Sequence, residues 1–86
     1  MCTYRTEKIK VTGSGKGADG WFAVTDATVY FDHPVHARAE HTLNVDFVNP
    51  GRGPQARVAV ELTAESAREL ARAIEAALGA VPAGMI

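Results

Sequence analysis

The sequence predicts an α+β fold: a four-stranded antiparallel β-meander with one C-terminal α-helix packed on one face. Three observations carry this. Four stretches alternate apolar and polar residues with the two-residue period of half-buried strands. Segments rich in glycine and proline separate them. One stretch near the C-terminus repeats its apolar residues at helical spacing.

The first strand is expected over residues 3–12, TYRTEKIKVT, ending at the glycine-dense GSGKGADG, which reads as a hairpin loop. The second, residues 21–32, WFAVTDATVYFD, is the longest and most apolar. In the third, residues 40–48, His41, Leu43, Val45 and Phe47 share one face and Thr42, Asn44 and Asp46 the other. NPGRGP then breaks the chain, because two prolines and two glycines in six residues do not suit a central strand. The fourth strand, residues 56–62, aligns Val58, Val60 and Leu62. The helix is expected over residues 64–78, with Thr63 as N-cap, Glu65 in the first turn and Gly79 after the last apolar residue. Ala67, Leu70, Ala71, Ile74, Ala77 and Leu78 form its buried stripe. Residues 79–86 have no period and read as an extended arm.

Sequential strands joined by short loops pair as neighbours, which gives the meander. With the helix on one face, Phe22, Val24 and Tyr30 would leave a second face in need of cover. The expectation is a homo-oligomer, most simply a dimer.

The chain of 86 residues is expected to be one domain, 1–86. A chain this short buries only about 60% of its unfolded surface. Disulfides do not supplement it, since Cys2 is the sole cysteine. No leader-like or membrane-length apolar run is present, so the expectation is a soluble, cytoplasmic protein with no membrane partner. A formal net charge of −1, with bases and acids interleaved, argues against a nucleic-acid partner. GSGKG is not a phosphate loop: the first glycine of G-x-x-x-x-G-K-[ST] would fall at Lys10, and Gly17 follows Lys16.

All three histidines lie in YFDHPVHARAEH, at positions 33, 36 and 41, beside Asp32 and Glu40. One face-consistent register sets Val29 opposite Val45 and Phe31 opposite Leu43, which puts His33 opposite His41; a slip of two residues would keep the faces and set His41 beside Phe31 instead. A register of Val11 with Ala23 and Ile9 with Thr25 would bring Cys2 beside Asp32. The same end of the sheet would then gather Cys2, Asp32, His33, His36, His41 and the helix N-terminus.

Neutral imidazole and thiolate are zinc ligands, and thiolate also suits copper(I), so Cys2, His33, His36 and His41 are the candidate metal ligands, with Asp32 as a further one. Without a metal, Asp32 could hold His33 or His41 as a general base, with Tyr30 lining a small-molecule pocket. Against both stands an ordinary polar loop, since H-x-x-H in a loop has no fixed geometry.

MCTY at the start, GWF-V-DATVYFDHPVHA–EHTLN-DF in the middle and VAVELTAESAREL near the end resemble a family of short actinobacterial proteins known as a domain of unknown function. The resemblance covers nearly the whole chain. It implies a one-domain bacterial protein and supplies no activity, cofactor or site residue.

Three functions follow as expectations: an oligomeric binder of a divalent transition metal, zinc foremost; a metal-free small-molecule enzyme or binding protein; and a structural or accessory subunit whose exposed sheet face and AVPAGMI arm bind another protein.

Overall fold

The structure, a computed structural model, describes residues 5–35, 38 and 40–86. Its elements are β1 (Thr6–Gly17), β2 (Gly20–Asp32), β3 (Thr42–Val48), a 3₁₀ turn (Pro50–Arg52), β4 (Arg57–Leu62) and α1 (Ala64–Gly79). The strands form one antiparallel sheet in the order β1-β2-β3-β4, the expected meander.

The first hairpin departs from expectation. The glycine-dense stretch is strand, not loop: Gly13 pairs with Val24, Gly15 with Phe22 and Gly17 with Gly20. The turn is only Ala18–Asp19, and Gly20 takes a φ of 105°, a backbone region that glycine enters without strain.

The register also differs. Ile9 pairs with Ala27 rather than Thr25, and Lys10 with Asp26. Between Lys10 and Gly13 the pairing shifts by one residue, so Val11 and Thr12 together oppose Thr25 in a β-bulge.

The buried face of β2 changes at the same level of the sheet. Along β2 the buried positions switch from Phe22 and Val24 to Ala27, a change of parity across Thr25 and Asp26. Phe22 and Val24 therefore do not build a second apolar face with Tyr30. They join Ala56, Val11, Phe47 and Val58 in one core. Over this core the sheet rolls until β1 meets β4: a Cβ on Gly17 would lie 3.2 Å from the Gln55 carbonyl oxygen and 3.3 Å from that of Arg57.

Asn49 ties the NPGRGP break to the same end. Its Nδ2 donates to the Ala23 carbonyl at 2.9 Å, and its Oδ1 accepts the Gly51 N–H at 3.1 Å.

The second hairpin and the β3–β4 pair follow the expected faces. Val29 pairs with Val45, which pairs with Val60, and Phe31 pairs with Leu43, which pairs with Leu62. Strand alternation puts these residues on one apolar face. The opposite face is polar. There Tyr30 donates to Asp46 Oδ2 at 3.3 Å, Asp46 pairs with Arg57 at 2.7 Å, and buried Thr42 donates to buried Asn44 at 2.6 Å.

The helix forms as expected but does not lie on the sheet. Thr63 is its N-cap: the residue is extended, with a ψ of 156°, and its Oγ1 accepts the Ser66 N–H at 3.1 Å. Yet α1 has no buried residue, and Leu70, Ile74 and Leu78 are 48%, 51% and 51% exposed. The cause is the junction. β4 ends at Leu62 and α1 begins at Ala64, so Thr63 alone connects them. Reversing a chain from strand to helix over its own sheet takes about 2–6 residues. The helix thus meets the sheet through its first turns and runs on past it. Residues 80–86 contain a turn, with the Met85 N–H bonded to the Pro82 carbonyl at 3.3 Å and Gly84 at a φ of 94°.

Candidate functional site

At the end of the sheet opposite the Gly17–Gly20 turn, β2 leaves at Asp32 and β3 enters at Thr42, directly paired. One residue beyond that pair on each strand stand His33 and His41. Their ring centroids are 4.5 Å apart with an interplanar angle of 28°. His41 also stacks on Phe31, at 5.7 Å and 15°. Three rings are therefore layered at the end of the apolar face, as the matched registers of Val29 and Phe31 require.

Hydrogen bonds orient the stack. His33 Nδ1 lies 3.0 Å from the Glu40 carbonyl oxygen. A carbonyl can only accept, so the inferred tautomer carries its proton on Nδ1 and its lone pair on Nε2. Asp32 Oδ1 accepts the His33 backbone N–H at 2.7 Å, which shapes the turn out of β2. Beyond Pro34, the Val35 N–H donates to Glu61 Oε2 at 2.6 Å. Val35 is thereby held to β4 on the side facing away from the ring stack.

Beside the stack the helix begins. A cleft of about 320 Å³ separates Phe31 and Leu43 from Ala64, Ala67 and Arg68. The first turn of α1 thus stands near the histidine pair, as the meander implied.

The expected residues divide as follows. His33 and His41 are brought together. Tyr30 is not with them: alternation turns it to the polar face, where its phenol bonds Asp46. Burial, then the Asp46 charge and that bond, push the Tyr30 phenol above its usual range. Asp32 projects from the same side of β2 as Tyr30. Cys2 and His36 lie outside the described residues. The register that would set Cys2 against Asp32 is not the one adopted, because β1 is displaced by two residues. Among the described residues, no group of three or more His, Cys, Asp and Glu side chains is placed to hold a metal ion.

Sequence reasoning missed the opposite end of the apolar face. Val11, Gly15, Trp21, Phe47 and Val58 line a groove of about 430 Å³, with Trp21 69% exposed at its rim. The available signal was the alternation of Gly13, Gly15 and Gly17, a strand's period written in a residue that usually marks a loop.

Among the described residues, no helix is long and apolar enough to cross a membrane. No curated protein and no solved structure matches the chain. A family model does match, over residues 1–86, and on that full-length match the chain belongs to the family of unknown function DUF6295.

Proposed function

We propose that this protein is a small cytoplasmic homo-oligomer that binds a divalent transition metal, zinc foremost, at the histidine end of its sheet. The observation that supports this reading is the approach of His33 and His41 to a centroid separation of 4.5 Å. Imidazole lone pairs lie in the ring planes, so binding one ion through both Nε2 atoms would require the stacked rings to turn toward each other. The Glu40 carbonyl on His33 Nδ1 is the kind of outer partner that fixes a ligating tautomer. His36 and Cys2 are the further ligands in this reading, while Asp32, on the other side of β2, holds the His33 backbone N–H. Three ligands would leave an open position and four would close the site.

The test is elemental mass spectrometry on untagged protein prepared without chelator. About one zinc or copper per subunit is expected, lost in the His33→Ala/His41→Ala double variant. Absence of stoichiometric metal, both as purified and after supplementation, refutes the reading.

A second reading is favoured by the cleft between Phe31, Leu43 and Arg68. A metal-free site there would bind a small anionic molecule against Arg68, with His41, stacked on Phe31 at its edge, doing acid–base work; Asp32 would act only by holding the His33 backbone. Titration with small carboxylic acids should then shift the Phe31, His41 and Arg68 resonances in metal-free protein. Unmoved resonances would remove it.

A further inference from the structure

Two apolar surfaces among the described residues are incompletely covered: the helix stripe of Leu70, Ile74 and Leu78, about half exposed, and the sheet face of Val29, Val45 and Val60, only half-buried. Each fits the other. The 16 residues of α1 span about 24 Å, and the seven residues of β3 about the same. They cannot meet within one copy, because Thr63 alone joins β4 to α1.

The exposed area has the size of an interface. A compact monomer of 9.1 kDa exposes about 4,900 Å². This chain exposes 6565 Å², an excess of roughly 1,700 Å² over that scale. Obligate homodimers bury about 1,000–2,500 Å² per copy, so the excess is what one such interface removes. The radius of gyration agrees, at 14.4 Å against about 12 Å for a compact chain of this length.

We propose that two copies pair about a two-fold axis, with α1 of each laid along the apolar sheet face of the other. Leu70, Ile74 and Leu78 of one copy rest on Val29, Val45 and Val60 of its partner. From the cleft at Phe31 and Leu43 to the groove at Phe47 and Val58 the face runs about 14 Å along β3, enough for the stripe from Leu70 to Leu78, about 12 Å long. The exchange is reciprocal, so the contact is isologous and closes at two copies. It is independent of whether the histidine pair holds a metal.

Sedimentation equilibrium at about 50 µM should give twice the 9.1 kDa chain mass. Ile74→Glu changes a side chain that is half exposed in the single chain, so the sheet should persist while dimer affinity falls at least about 100-fold. Isotope-filtered NOE spectra of mixed labelled and unlabelled protein should show Leu70 and Ile74 methyls of one copy against Val45 and Val60 methyls of the other. A monomeric wild-type chain overturns the proposal. So does a dimer untouched by Ile74→Glu, or one whose intermolecular NOEs run only from helix to helix.

Discussion

Alanine placed at Gly13, Gly15 and Gly17 in turn should give three different stabilities from one chemical change. The three glycines alternate along β1, and none has a positive φ, so an L-residue fits each backbone without strain. At Gly13 a new Cβ meets nothing within 4 Å. Relief of glycine's chain entropy should dominate there and stabilise by about 0.5–1 kcal/mol. At Gly17 the Cβ lies 3.1 Å from Phe22 Cε1 and 3.2 and 3.3 Å from two backbone carbonyl oxygens of the Gln55–Arg57 segment. The Arg57 carbonyl belongs to β4 and cannot step aside unless β1 and β4 part, and overpacking of this kind costs about 1–3 kcal/mol. Offset by the same entropic gain, the net loss is roughly 0.5–2 kcal/mol. Gly15 falls between them, since its new neighbours are Val24 Cγ2 at 3.1 Å and Val58 Cγ2 at 3.3 Å, side-chain tips held by stiff χ1 angles. With a urea slope of about 1 kcal/mol/M, the Gly13→Ala midpoint should rise by roughly 0.5–1 M and the Gly17→Ala midpoint fall by roughly 0.5–2 M. Urea melts followed by circular dichroism measure this directly. If Gly17→Ala matches Gly13→Ala at unchanged slope, β1 does not roll onto β4.

Two further perturbations probe other parts of the chain. The Lys10 ammonium, bonded to Asp26 at 2.7 Å, and then the Thr25 hydroxyl, hold the Asp26 carboxyl below its usual range. A depressed carboxylate stabilises the fold above its unfolded pKa, and that contribution is lost as pH falls through the lower folded value, so the window lies below about pH 4. Carboxyl NMR titration should place Asp26 higher in Lys10→Ala than in the wild type, and coincident curves would refute the assignment. Thr63→Ala should cost about 1 kcal/mol of helix stability, because it orphans the Ser66 N–H at the start of a helix with no buried residue. The helical dichroism should weaken while the β2–β3 amide resonances stay in place; an unaltered helical signal would contradict the cap.

The second hairpin was legible because bulky residues mark both of its strands. Matching faces narrowed the register to a few choices two residues apart, and in the one adopted Val29 and Phe31 face Val45 and Leu43 and His33 meets His41. The first hairpin was opaque for the converse reason. Glycine shows no side chain from which a face can be read, so strand residues 13–17 looked like loop, and the bulge at Val11–Thr12 moved the register unseen. Period-two reasoning also failed on β2, whose buried positions change parity across Thr25 and Asp26, so Phe22 and Val24 do not share a face with Tyr30. The helix stripe was read correctly as apolar and wrongly as met by its own sheet. Amphipathic spacing says that a face seeks cover, and it is the length of the Leu62–Ala64 junction that decides whose cover it can reach.

The contact of β1 with β4 at Gly15 and Gly17 makes the sheet a sleeve sewn shut at one cuff, with the histidine loop at the other. Amide exchange should therefore quicken along β2 from Phe22 toward Asp32, as local opening frees the unsewn cuff first. Anything that grips His33 and His41 together would act there as a button, slowing exchange across the Asp32–Thr42 pair. It would lend stability at that end of the sheet, in proportion to the logarithm of its concentration over Kd. The backbone near the loop would then report occupancy of the histidine pair without any signal from the bound species itself.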